Sequence, residues 1–536
     1  MIHEYLFLFI ALLLAVLLLV MIGQRLKISY PIFLVIAGTL IGLIPGVPHI
    51  RIDPDVVFLI FLPPILFEAA WYTSWVDFWK WRRSILLLAF GLVIITSTVL
   101  AYFSAAYLPG FTLALGFLLG GIISPPDAVA ATSVLKHVRI PRRLLTILEG
   151  ESLINDASSL IVFKFALATI ITGQFILRDA VGSFFILVIM GTIVGLVIGM
   201  LIYGVHRFLP TTSGIDTVLT LVTPYLLYIT AEYFHYSGVM AVVSGGLFLS
   251  YYSHETLNYQ SRLQATGVWN TLIFLINGVV FMLIGLELRV ILDELDDIAT
   301  VEQAVRHGLL ISIIIIAVRL VWTYIIAYYP RLLSRWIKET EPRSGWKGPL
   351  IISVSGMRGV VSLAAAFSVP LLLPGGEEFP QRDIILLITF VVIVVTLVGQ
   401  GLLLPIMLRF IHLDVVDHDV PVGEQEASLE LKLKRESLEV LRLKYSHLIP
   451  SNEIVTNLKK QLENDVTLVK QKLNSLEYET DPYELKEYND VMSDLLQRQR
   501  DVLADLRDDE RYSDEILRNQ ASQLDLEEAR LKGTRH

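Results

Sequence analysis

The sequence predicts an all-α polytopic membrane protein followed by a helical cytosolic tail. Three observations carry that prediction. Apolar runs recur along residues 1–410, each about 20 residues long and so able to cross a bilayer. Over 536 residues the chain is 54% hydrophobic, with mean hydropathy +0.62. Charge is unevenly placed: of the net −9, residues 411–536 hold −10 and residues 1–410 hold +1. There is no cysteine, hence no disulfide, and the few histidines form no metal-ligand spacing. No nucleophile–histidine pairing or phosphate loop points to an enzyme, a cofactor is not expected, and the acidity argues against nucleic-acid binding.

Taken in order, charged or Pro/Gly loops divide residues 1–410 into about thirteen spans. They lie near 4–22, 29–45, 54–71, 84–108, 111–135, 143–171, 179–205, 215–234, 237–252, 264–288, 305–329, 347–372 and 383–410. The run Tyr5–Ile22 is too long for a signal-peptide core and reads as the first span. Alternate loops carry 16 and 5 Lys/Arg residues, which predicts an outside N-terminus and an inside C-terminus. Trp71, Trp75, Trp79 and Trp81 then mark the inner interface. Gly191, Gly195 and Gly199 form a small-residue row expected to pack inside the protomer.

Two spans are interrupted. Span five contains Ser124-Pro125-Pro126-Asp127, where two prolines remove two backbone donors. Span twelve contains Ser355-Gly356-Met357-Arg358-Gly359, with glycines around a charge. If spans 1–6 and 8–13 are two six-helix repeats, both breaks fall in the fifth member. Equivalent spans are then an odd number apart, so the repeats are inverted, as in secondary transporters with a site at the midplane. Asp127 is expected to offset the positive start of the second half-helix, and Arg358 the negative end of the first half-helix of span twelve.

The remaining polar feature is Gly150-Glu151-Ser152-Leu153-Ile154-Asn155-Asp156, followed by an apolar run. Ser152 and Asp156 share one helical face; Glu151 and Asn155 share the next. A carboxylate at the bilayer centre costs on the order of 3 kcal/mol or more. It therefore marks either a functional ion or proton site or a structural ion pair. Lys164 is expected to snorkel to the interface, with a second ion pair as the alternative, and Glu232 to lie at an outer helix end without a role. Arg319 and Glu287 are left between interfacial and paired positions.

Together these residues resemble the cation:proton antiporter-1 family, which includes the bacterial sodium/proton antiporters of the NhaP type and the eukaryotic sodium/proton exchangers. Gly150–Asp156 is similar to its GESLxND motif. Ser124-Pro125-Pro126-Asp127 is similar to its broken-helix motif, though Pro126 stands where a threonine is common. Leu62-Pro63-Pro64-Ile65, with Glu68, and Gly356-Met357-Arg358-Gly359 match two more stretches. The resemblance covers residues 1–410 and implies crossed broken helices, core and dimerisation subdomains, and a homodimer in the plasma membrane. It implies that Asp156, Asp127, Ser152 and a carbonyl near Pro126 bind Na⁺ (or Li⁺) and H⁺ in turn. It also implies a supporting Glu151–Arg358 ion pair, a possible funnel residue in Glu68, and electroneutral exchange from Asn155. K⁺/H⁺ antiport on the same fold is the nearest alternative, and a passive cation channel a more distant one.

From 411 onward leucines recur at helical spacing among charges, in runs near 428–447, 451–476, 481–508 and 513–532. They are expected to form helices, either as a coiled-coil or dimer contact or as a solvated appendage.

Overall fold

Side-chain caps fix where several helices start. The hydroxyls of Ser74, Thr112, Thr212 and Ser237 accept from the backbone N–H of Asp77, Leu115, Ile215 and Met240 respectively. Each satisfies a donor that a helix start leaves orphaned. The structure, a computed structural model, describes residues 2–26, 28–45, 57–135, 140–173, 177–293, 298–332, 345–374, 376–411, 422–447, 449, 451–477, 483–505, 520–521 and 523–528.

The helices run in chain order as α1 (Ile2–Leu26), α2 (Tyr30–Gly42), α3 (Val57–Tyr72) and α4 (Trp75–Tyr107). Then come α5 (Leu113–Ile123), α6 (Ala128–Leu135), α7 (Arg142–Thr172), α8 (Leu177–Phe208) and α9 (Ser213–Tyr233). α10 (Gly238–Thr256), α11 (Tyr259–Asp293), α12 (Ile298–Leu332), α13 (Lys347–Val354), α14 (Val360–Phe367) and α15 (Arg382–Phe410) complete the apolar part. Among the described residues, nine helical segments are long and apolar enough to cross a bilayer, counting α5 and α6 as one. Several of the Lys/Arg positions behind the orientation, including Lys27, Arg51, Lys136, Arg139, Arg335, Lys338 and Arg343, lie outside the described residues.

One boundary differs from expectation. α4 begins at Trp75, so Trp75–Arg83, which reads as an interfacial loop, is a helical turn and more, capped by Ser74. Its aromatic and basic residues stack: Trp75 on Trp79, Arg82 over Trp79, and Arg143 of α7 over Trp81. π-helical turns at Leu87–Leu92 and Val395–Gln400 interrupt α4 and α15 without ending them.

Close helix packing follows the small residues. A Cβ on Gly191 or Gly195 would meet backbone oxygens of Ser237 and Ala241, so this row of α8 seats α10 within the protomer, as expected. α2 and α11 approach in the same way through Gly38 and Gly285. Both interrupted spans are broken where the sequence places the breaks. α5 and α6 are separated at Ser124–Asp127, and α13 and α14 at Ser355–Gly359. The breaks cross: the Asp127 N–H donates to the Met357 carbonyl at 2.7 Å, and the Asp127 carboxylate lies against Gly359.

The chain divides into two compact units, Met1–Asp414 and Val415–His536. In the second, α16 (Val422–Lys444) and α17 (Glu453–Glu477) form a hairpin held by Lys434–Asp465 at 2.5 Å and Arg442–Glu463 at 2.7 Å. Arg442 beside Glu463 holds that carboxyl below the usual range. α18 (Tyr483–Asp505) follows; most of the fourth expected run lies outside the described residues.

Candidate ion-binding site

α7 divides its polar residues by face. Glu151 and Asn155 are buried, at 1% and 0% exposure. Ser152 and Asp156 instead line a cavity of about 1640 Å³. Asp127 from the first break and Ser362 from α14 line it too, as does Glu68 from α3, where it was expected as a funnel residue. The cavity extends to Gln24, Tyr72 and Arg409, at the ends of α1, α3 and α15. Asp127 lies close enough to Asp156 for its charge to act there.

The helix break organises this site. The amide start of α6 is capped twice: Val129 N–H donates to Asp127 Oδ1 at 2.8 Å, and Ala128 N–H donates to Ser152 Oγ at 3.1 Å. Asp127 thus offsets the partially positive helix start, as its position in the sequence implies. Its Oδ1 is committed to that cap, while Oδ2 faces Gly359. The Pro126 carbonyl accepts from Asn155 Nδ2 at 2.7 Å. The expected ligand oxygen at Pro126 therefore already holds one hydrogen bond, and only its second lone pair is available to a cation.

The supporting ion pair differs from expectation. Glu151 is held by Arg319 of α12, not by Arg358: Nη1–Oε1 is 2.5 Å and Nη2–Oε2 is 2.9 Å. Arg319 Nε also donates to the Ile352 carbonyl at 3.2 Å, in the last turn of α13. Arg319 thereby takes both tasks assigned to Arg358, the carboxylate partner and the neutraliser of a half-helix C-terminus. The reason is reach. Arg319 lies across Gly356, where a Cβ would collide with its side chain. Arg358, by contrast, sits two residues before α14 (Val360–Phe367). Its side chain is fully buried, and its three guanidinium nitrogens make no hydrogen bond among the described residues. Its charge still acts on Glu151 and Arg319.

Arg319 had a signal in the sequence. It is a charge near the middle of the 305–329 apolar run, whose other charge, Arg306, lies at the edge, and it is the same kind of expense that marks Asp156. Lys164 likewise does not snorkel alone: its Nζ is 3.1 Å from Glu232 Oε2. Glu232 also accepts from Gly238 N–H, so it joins α7, α9 and the start of α10.

A family profile described as sodium/hydrogen exchanger, transmembrane, matches residues 10–410. The chain is 31% identical to an uncharacterized Na(+)/H(+) exchanger of Mycobacterium tuberculosis, over 97% of this chain and 95% of that one. It is 33% identical to a sodium, potassium, lithium and rubidium/H(+) antiporter of Bacillus subtilis, over 71% of this chain and 58% of that one. Among solved structures it is similar in fold to the sodium proton antiporter MjNhaP1 of Methanocaldococcus jannaschii. The TM-score is 0.58 at 20% identity, covering 73% of this chain and 97% of the other.

Proposed function

The chain belongs to the sodium/hydrogen exchanger family, and from that premise we propose that Asp156 binds Na⁺ (or Li⁺) and H⁺ in turn and delivers them by alternating access. The observation that carries this reading is the shared cavity wall of Asp156, Ser152 and Asp127 at the crossing of two broken helices. A hard monovalent cation prefers oxygen ligands, and these side chains supply them. Desolvation disfavours an isolated carboxylate charge, so the site gains by taking either a proton or a cation. Both occupy the same oxygens, so binding is mutually exclusive and the two fluxes are coupled.

Charge balance supports one cation for one proton. Glu151, Asp127 and Asp156 carry three negative charges at the crossing; Arg319 and Arg358 carry two positive ones. The empty site has one excess negative charge, and a single Na⁺ or H⁺ neutralises it. A neutral loaded core crosses hydrocarbon at far lower cost than a charged one. Arg358, whose guanidinium makes no hydrogen bond among the described residues, fits this reading as a fixed countercharge, and buried Asn155 adds no further charge. The cavity reaches Gln24 and Arg409; with the inside C-terminus expected from the Lys/Arg count, this mouth would open to the cytosol, an inward-facing conformation.

The test is cation-driven proton movement in proteoliposomes with Na⁺, Li⁺ and K⁺ in turn, with and without an imposed potential. Exchange lost in Asp156→Asn and insensitive to potential is the expected result. Normal exchange in that variant overturns the assignment. The K⁺ arm tests a second reading, K⁺/H⁺ exchange, which the printed name of the Bacillus subtilis relative favours.

A further inference from the structure

The tail helix α16 carries two apolar rows on opposite faces. One, Ala427, Leu431, Leu438 and Leu441, is buried, with Lys434 in the same row reaching Asp465 of α17. The other is Leu429, Leu433, Val440 and Leu443, all exposed, up to 74% at Leu443. Glu436 fills the gap in this outer row, so the intervals alternate between four and three residues. That alternation, 3.5 residues on average, is the pattern by which one helix wraps on another.

α18 repeats the arrangement. Its outer row is Val491, Leu495 and Val502, all exposed, with Arg498 in the gap. Its other face is already used: Leu496 is buried, and Arg500 bridges to Asp525 at 2.6 Å and Glu528 at 2.5 Å. The two outer rows superimpose residue by residue: Leu429 with Val491, Leu433 with Leu495, Glu436 with Arg498, and Val440 with Val502. Neither Glu436 nor Arg498 forms an ion pair among the described residues. In-register pairing of like rows would oppose Glu436 to Glu436, or Arg498 to Arg498. Pairing unlike rows opposes opposite charges in one layer, the device by which a polar core position fixes partner and register. Both rows face outward in the same chain, so they are not joined to each other within it.

We propose that the outer row of α16 docks on the outer row of α18 from a second copy of the chain, with Glu436 meeting Arg498. A two-fold pair of protomers forms this contact twice, each tail giving one row and receiving the other. The proposal concerns assembly and is independent of the ion site.

The chain lacks cysteine, so introduced thiols report without background. A Glu436→Cys chain and an Arg498→Cys chain with different tags are co-expressed, oxidised mildly in membranes and run without reductant. At equal expression about half of the chain, the share in mixed pairs, is expected to shift from 60.3 kDa to a reductant-sensitive band of twice that mass carrying both tags. Either variant alone is expected to stay at monomer mass. Absence of the mixed band overturns the proposal. An equally strong dimer from Glu436→Cys alone also overturns it, since that places α16 on α16. So does a disulfide closed within one chain in the double variant. A second measurement uses Leu433→Cys with Leu495→Cys. Adding Glu436→Lys is expected to lower that cross-link about threefold, the scale of one exposed ion pair, and adding Arg498→Glu to restore it. An unchanged yield removes the charge match on which the proposal stands. Sodium–proton exchange in the same samples reports the ion site separately.

Discussion

Arg319 grips Glu151 through two parallel bonds, Nη1–Oε1 at 2.5 Å and Nη2–Oε2 at 2.9 Å, with both side chains at most 2% exposed. The planar fork of a guanidinium matches a carboxylate edge in a way an ammonium does not. Removing the arginine leaves Glu151 charged and without its partner. Arg319→Ala is expected to destabilise the protein by about 3–5 kcal/mol, read as loss of the monodisperse peak in detergent and a lower melting temperature. Arg319→Lys is expected to recover only part of it.

Arg358 predicts a different phenotype, because its guanidinium makes no hydrogen bond among the described residues. Arg358→Met keeps most of the volume and removes a countercharge. Folding is expected to survive while exchange falls about tenfold or more, equivalent to about 1.4 kcal/mol on the barrier. Full activity in a folded Arg358→Met protein would remove this arginine from the charge balance.

Gly359 tests the crossing itself. A Cβ there would collide with the Asp127 carboxylate. Gly359→Ala is expected to displace Asp127 and to abolish exchange, with a smaller effect on the amount of folded protein. Gly204, which has open space around it, is the control: Gly204→Ala is expected to exchange normally.

Asn155 gives a pH-dependent prediction. Its Nδ2 donates to the Pro126 carbonyl. In Asn155→Asp an ionised carboxylate faces that carbonyl with no proton to give, at a cost of about 1–3 kcal/mol. The protonated acid can donate again. Stability of this variant is therefore expected to rise as pH falls, and melting curves at pH 5 and pH 8 check the sign. A variant more stable at the higher pH would contradict the bond.

Lys164 and Glu232 supply the negative case. Their contact is short, but the side chains are 56% and 34% exposed. Lys164→Ala is expected to change stability by less than about 1 kcal/mol and to leave exchange intact.

Much of this was legible from residues alone. Pro125 and Pro126 had to break a helix, and Asp127 had to sit at the start that followed. The four-residue spacing of Ser152 and Asp156 separated the cavity face from the buried face of α7. What the chain order could not reveal was partnership across distance. Glu151 and Arg319 are 168 positions apart, and two arginines competed for one carboxylate. The choice depends on which side chain can pass over Gly356, a matter of tertiary reach that no local pattern encodes. Trp75–Arg83 was misjudged for another reason: its charges read as a loop, whereas an amphipathic turn can present them to the interface while staying helical.

The hydrogen bonds around the breaks also act as rivets. Ser152 holds Ala128, Asn155 holds Pro126, Met357 holds Asp127, and Arg319 ties Glu151 to Ile352. They fasten α6, α7, α12, α13 and both crossing points into one piece. A movement that slid any of these parts past another would break several of these bonds at once. A movement that carried them together would break none. The proposed cation site thus belongs to one fastened piece, and the give in the molecule is expected at the seams around it.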